Sequence, residues 1–260
     1  DKEKAVKKGL EMEAEGAQII DVGGESSRPG SGPVSLEEEF LRVIPVITGL
    51  REKSQIFISI DTTKAAVAEQ ALAAGADIIN DISAGRFDEN MFPLAAEKKV
   101  PIILMHMQGK PKTMQKNPSY SNLTAEIKDF LEERISAALE SGIESEQIIL
   151  DPGIGFGKNL FHNLEILRKL EFLNEFRRPL LLGVSRKSFI GEILSLPPDK
   201  RLEGTLAACI IGISKGAHIL RVHDLKEVKK AVEVAEAILS YPEKDNRSLD
   251  PEEKKRLHAN

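Results

Sequence analysis

One cysteine in 260 residues, Cys209, leaves the chain no intrachain disulfide and suits a reducing compartment. The five histidines show no paired ligand spacing and there is no cysteine cluster, so the sequence offers little for a transition metal. No apolar run approaches the roughly 20 residues that span a bilayer. No basic-then-apolar leader opens the chain, which makes a cytoplasmic address the default. Basic residues number 36 against 41 acidic ones, a net charge of -5, so neither nucleic acid nor an anionic membrane is expected as a partner. A nucleophile elbow is missing too: Gly183-Val184-Ser185-Arg186-Lys187 lacks the closing glycine.

What is present centres on Ile148–Lys158, Ile-Ile-Leu-Asp-Pro-Gly-Ile-Gly-Phe-Gly-Lys. Three apolar residues predict a short buried strand that stops at Asp151. Pro152 cannot extend the ladder, and Gly153, Gly155 and Gly157 let the backbone turn tightly or approach a ligand. Two nucleotide loops are excluded by position. A Walker loop needs glycine at 152 and a dinucleotide fingerprint needs it at 158, where Pro152 and Lys158 stand.

The arrangement recurs. Strands are predicted at Ile19–Val22, Ile56–Asp61, Asp77–Asp81, Pro101–His106, Ile148–Asp151, Pro179–Ser185 and His218–His223, separated by helical periodicities. Among the helices, Leu36–Leu50 has Ser35 as its N-cap, and one helix runs through Leu164, Leu167, Leu170 and Leu173. Strands alternating with helices mean parallel βαβ units. A (β/α)8 TIM barrel is the expected fold, with a first strand preceding Asp1 in the complete protein; a doubly wound open sheet is the rival. One domain is expected over 1–240, followed by a charged tail from 241 to 260.

Every strand ends on polar chemistry: Asp21, Asp61, Asn80 with Asp81, His106, Asp151, Ser185 to Lys187, and Arg221 with His223. In a barrel these ends converge on one face. Asp61 could instead cap the helix after it. Asp61, Asn80 and Asp151 can read the edge of a polar heterocycle. Ile82, Ile103, Met105 and Phe156 can sandwich a flat ring. Arg28, Lys158, Arg186, Lys187, Arg221 and His223 crowd the loop side of an acidic protein, which points to an anionic group on the ligand.

Six ordered motifs carry a resemblance over nearly the whole chain. They are Gly24 to Gly30 (Gly-Glu-Ser-Ser-Arg-Pro-Gly), Ser59-Ile60-Asp61-Thr62, Ile79 to Ser83, Asp151 to Lys158, Gly183 to Phe189, and Arg221-Val222-His223-Asp224. Together they resemble the dihydropteroate synthases. The resemblance implies a (β/α)8 barrel transferase that joins 6-hydroxymethyl-7,8-dihydropterin pyrophosphate to p-aminobenzoate by an SN1-like path in folate synthesis. It implies Asp61, Lys187, Arg221 and His223 as catalytic, and Asp61, Asn80, Ile82, Met105, Asp151, Phe156, Gly183 and Lys187 as the pterin site. Arg221 and His223 would take the pyrophosphate. Ser27, Arg28, Pro29, Phe156, Lys187 and Ser188 would shape the p-aminobenzoate site, where sulfonamides compete. Mg2+ is the implied cofactor and a homodimer the implied assembly. The family's Asn-containing first loop, which supplies a metal ligand, would lie before Asp1, and Ser27 stands where threonine is commoner. A pterin-dependent methyltransferase domain is similar in its carboxylate pocket but has no need of Arg221 and His223. A non-catalytic pterin-binding module is the third possibility.

Overall fold

The computed structural model describes residues 1–26 and 30–241. Among them are seven strands: β1 (Ile19–Gly23), β2 (Phe57–Asp61), β3 (Ile78–Asp81), β4 (Ile102–Met105), β5 (Ile148–Asp151), β6 (Leu181–Leu182) and β7 (Ile219–Leu220). The helices are α1 (Lys2–Ala14), α2 (Leu36–Arg51), α3 (Ala65–Ala73), α4 (Met91–Lys98), α5 (Leu123–Glu140), α6 (Leu160–Arg168), α7 (Ser188–Leu194), α8 (Leu202–Ser214) and α9 (Leu225–Leu239).

All strand pairs are parallel and follow chain order, β1 to β5 in one ladder and β6 with β7 in another. A bridge between Leu150 and Leu180 joins the two ladders. A doubly wound sheet reverses its strand order at a switch point, and no reversal occurs here. Closure gives the stronger argument. Flat strands lie about 4.8 Å apart, so six spacings would hold β1 and β7 about 29 Å apart. Yet Arg221, just past β7, donates to Asp21 of β1 at 2.6 Å. The sheet therefore curls on itself, and the described residues supply seven strands of a (β/α)8 barrel.

Period-two alternation then sorts every strand. Ile20, Ile58, Ile60, Ile79, Ile102, Leu104, Ile148, Leu150 and Leu182 point outward into the main core against the helices. Their neighbours point into the barrel. Ile78, Ile103, Ile149 and Leu181, with Ile19 and Ile219, fill its lower part. One step further along each strand the inward position is Asp21, Asp61, Asn80, Met105, Asp151, Gly183 or Arg221. The polar strand ends and the barrel core are thus consecutive layers of one pattern.

Several helices begin as their sequence directs. The Ser35 hydroxyl accepts from Glu38 N at 3.2 Å, and Asn159 forms a capping box with His162. Other expectations need correction. The helix through Leu164 to Leu173 stops at Arg168, and Leu170–Phe176 is a tighter 3-10 segment that buries Leu170 and Leu173 in another way. β6 and β7 are two residues each, shorter than predicted, because Gly183 and the turn around Arg186 leave the ladder early. The tail beyond Tyr241, like Ser27, Arg28 and Pro29, lies outside the described residues.

Candidate active site

Asp21 is the hub of the inward polar layer, and the sequence reading gave it no role. Its Oδ1 accepts from Ser59 Oγ at 2.6 Å and from Asn80 Nδ2 at 3.3 Å, while Oδ2 accepts from Arg221 Nε. Arg221 Nη2 donates to Asp61 Oδ2 at 3.0 Å. One guanidinium therefore bridges two carboxylates from neighbouring strands. Ser59 was legible, being two residues from Asp61 and hence on the same face.

Asp61 does not cap α3. The α3 N-terminal amide of Ala65 instead donates to Asp88 Oδ2 at 2.8 Å. Burial pushes the Asp61 pKa up to about 7, the Asp21 carboxylate adds to the rise, and Arg221 opposes it. Asp151 is also raised by burial, against the pull of its bond from Gly153 N at 2.7 Å and of Lys187. Asp81 is buried too, but its oxygens accept from Ser83 N and Gly85 N, so it holds the β3 loop, while Asn80 joins the inward layer through Asp21.

Above this layer, Ile82, Met105, Met107, Met114 and Phe156 form an apolar cluster separate from the main core. The Lys187 ammonium sits 4.4 Å from the centre of the Phe156 ring. Burial lowers the Lys187 pKa to about 8, with Asp151 opposing the fall. Lys187 is delivered by a turn in which Arg186 has a φ of 57°, and Arg201 clamps that turn by donating to the carbonyls of Arg186 and Lys187. Ser188 follows as the exposed first residue of α7. His223 meets Ser185 Oγ through its backbone N at 3.1 Å and through Nδ1 at 3.0 Å.

The glycine loop is fixed by close approach. A Cβ on Gly153 would fall 1.9 Å from the His106 carbonyl oxygen, and one on Gly157 would fall 2.6 Å from that of Gln108. Both have positive φ, so only glycine fits. Partners that the sequence did not signal complete the loop: Gln115 Nε2 donates to Gly155 O, Tyr120 Oη to Gly157 O, and Gly155 N to Asn163 Oδ1.

Two of the six loop-side cations are committed elsewhere. Arg186 is salt-bridged to Asp224, and Lys158 is buried against His106. Lys187 and Arg221 do face the strand-end layer, with His223 beside them. Gly183 leaves space there, since the nearest atom to a Cβ built on it is Arg221 Cβ at 4.0 Å. Gly183→Ala is accordingly expected to keep its thermal stability while weakening binding of a ligand seated at the strand ends about tenfold, or 1.4 kcal/mol, by calorimetry; unchanged affinity would remove Gly183 from the pocket. A cleft of about 440 Å³ opens beside Asp61 and Ile82, walled also by Ser26, Lys64, Phe87 and Lys110.

A curled parallel sheet, seven strands of a (β/α)8 barrel, with carboxylates, an amide and cations at its strand ends around an apolar slot, defines a barrel enzyme suited to a flat polar ring bearing an anionic group. The family model described as pterin binding enzyme matches residues 1–223. The chain is 48% identical to the dihydropteroate synthase of Escherichia coli over 239 residues, which cover 92% of this chain and 84% of that relative. It is 50% identical to that of Synechocystis over 224 residues, 86% of this chain and 78% of the relative. The crystal structure of the Yersinia pestis dihydropteroate synthase with a sulfonamide drug superposes with a TM-score of 0.90 at 42% identity, covering 92% of this chain and 87% of that one. The chain belongs to the pterin-binding enzymes and, among them, to the dihydropteroate synthases.

Proposed function

We infer that this chain is a transferase of folate biosynthesis that condenses 6-hydroxymethyl-7,8-dihydropterin pyrophosphate with p-aminobenzoate, giving 7,8-dihydropteroate and pyrophosphate. The observation that carries the reading is the Arg221 guanidinium fixed at the barrel mouth by Asp21 and Asp61, next to a carboxylate-lined apolar slot. A pyrophosphate ester of a flat heterocycle has both features that such a site recognises.

In this reading the pterin lies among Ile82, Met105 and Phe156. Asp151 keeps Oδ1 on Gly153 N and offers its other oxygen to the amino edge of the ring, while Asn80 and Lys187 read further ring atoms. Arg221 and His223 meet the pyrophosphate. The bond between the exocyclic methylene carbon and oxygen breaks, and its electron pair leaves with pyrophosphate, whose growing charge Arg221 stabilises. The methylene becomes electron-deficient beside Asp61, whose carboxylate stabilises it in the ionised form. The amine of p-aminobenzoate, placed near Phe156, Lys187 and Ser188, attacks that carbon and loses a proton. Ser27, Arg28 and Pro29 belong to the same subsite in this proposal, and sulfonamides would compete there.

Among the described residues no three carboxylate, imidazole or thiolate groups converge to hold a metal ion, and Asp21 and Asp61 both face Arg221. Mg2+ would enter with the pyrophosphate, beside Arg221 and His223, and would offset its charge. No helix among the described residues is long and apolar enough to cross a membrane. Cytoplasmic residence suits the buried thiol of Cys209. A homodimer would cover exposed apolar residues of α8 and α9 such as Ile211, Val234 and Ile238, and sedimentation equilibrium tests it.

The deciding experiment measures pyrophosphate release from the dihydropterin pyrophosphate with Mg2+, with and without p-aminobenzoate. Release coupled to dihydropteroate formation is expected. Tight pterin binding without release would leave a binding module, and absence of pterin binding would overturn the site.

A further inference from the structure

Lys158 ends the glycine motif, and among the described residues its side chain is the largest to be fully buried, at 2% exposure. A buried ammonium is costly unless every proton finds an acceptor. Here the count closes. The three protons of Nζ face His106 Nδ1 at 2.8 Å, Phe156 O at 3.0 Å and His106 O at 3.3 Å. Burial does draw the Lys158 pKa down to about 7, against the pull of Asp151, and it draws His106 down to about 2. With Lys158 protonated, a neutral His106 ring accepts its proton through Nδ1.

These three bonds span two elements. His106 follows β4, and its own backbone N donates to Asp151 O at 3.0 Å. Phe156 lies in the glycine loop after β5. The His106 carbonyl that Lys158 caps is the same atom against which Gly153 lies too close for any side chain. The ring of His106 is held in turn by edge-on contact with Phe130 at 4.9 Å. The loop's outer face is held by Gln115, Tyr120 and Asn163, and its inner face by Lys158.

We propose that Lys158 is a positioning residue: it ties the glycine loop to the end of β4, so that Phe156, and through it the Lys187 ammonium, stand where the amine substrate needs them. It touches no reacting atom. The proposal rests on the reading of the site as a dihydropteroate synthase and assigns a role to a buried cation that the chemistry itself does not use. Asp151 sits on the strand itself, so the pterin contacts should depend on this tether less than the p-aminobenzoate contacts do.

The test compares Lys158→Met, Lys158→Gln and His106→Leu with the unmodified protein, reading KM for each substrate, kcat and unfolding temperature. Lys158→Met is expected to raise KM for p-aminobenzoate about tenfold and to raise KM for the pterin substrate, which shares Phe156 and Lys187 but also rests on Asp151 and Asn80, by a smaller factor. Lys158→Gln keeps two donors and should recover part of the loss, and His106→Leu should shift the same constant less. A purely structural lysine would lower the unfolding temperature and the amount of active enzyme with both KM values unchanged, which overturns the proposal. Should Lys158→Met fail to fold, His106→Leu decides by the same criterion. Amide exchange at Gly155 and Gly157 gives a readout independent of turnover: faster exchange in the variants supports the tether, and unaltered protection overturns it even if the unmodified protein proves inactive. Inactivity of the unmodified protein would count against the reading of the site alone.

Discussion

Lys187→Ala should lower kcat/KM about a thousandfold, the upper end of what removing one preorganised charged donor costs, or roughly 4 kcal/mol. The structure gives Lys187 an unusual set of neighbours. Its ammonium lies over Phe156, near Asp151, Asp61 and Arg221, and burial has already drawn its pKa to about 8. A cation in such a partly desolvated place interacts more strongly with a substrate than one in water. In the proposed function it would serve both halves of the reaction, lying between the apolar slot at Phe156 and Ser188. The fold should survive the change, because the turn is held through backbone: Lys187 N donates to Val184 O, and Arg201 caps the carbonyls of Arg186 and Lys187. Turnover together with thermal unfolding checks this. Near-normal turnover would remove Lys187 from the site, and loss of cooperative unfolding would make it a scaffold residue.

Arg221→Ala has two expected effects. Losing the cation proposed to meet the pyrophosphate should reduce kcat by about 10² to 10³. It should also change how stability depends on pH. Asp61 has a folded pKa of about 7 against an ordinary 3.8, so between those values the native state holds a proton that the unfolded chain has lost. Stability therefore falls as pH rises through that window, and the cost is complete above it. Arg221 is one of the forces that lower the Asp61 pKa; without it, two carboxylates on adjacent strands face each other unneutralised. The window then extends further upward. Thermal unfolding should show a small deficit for the variant at pH 5 and a larger one at pH 8, and equal deficits at both would sink the assignment. Arg221→Lys should restore charge but not the two-pronged bridge, leaving activity between the two.

The comparison of sequence with structure turns on range. Short apolar runs were enough to place Asp21, Asp61, Asn80 with Asp81, and Asp151 at strand ends, but which of them face into the barrel is set by the parity of each strand in the folded sheet. The Ser35 cap and the glycine positions of the Asp151 motif were legible too: they are solved by the local backbone. The tight segment Leu170–Phe176 was missed because leucines spaced three apart suit either a continuing α-helix or a 3-10 turn, and packing decided.

Charge pairing was beyond the sequence. Six cations were legible on the loop side, but which of them meets a ligand depends on which acids lie within reach. Arg186 is taken by Asp224, 38 residues on; Lys158 by His106, 52 residues back; Arg221 by Asp21, 200 residues back. The sequence by itself determined the repeating strand and helix units, the polar ring at the strand ends and the family motifs. Curvature of the sheet decided the rest, because only it brings Arg221 at the end of β7 within reach of Asp21 on β1, and only the resulting distances separate a buried tether from a cation at the barrel mouth.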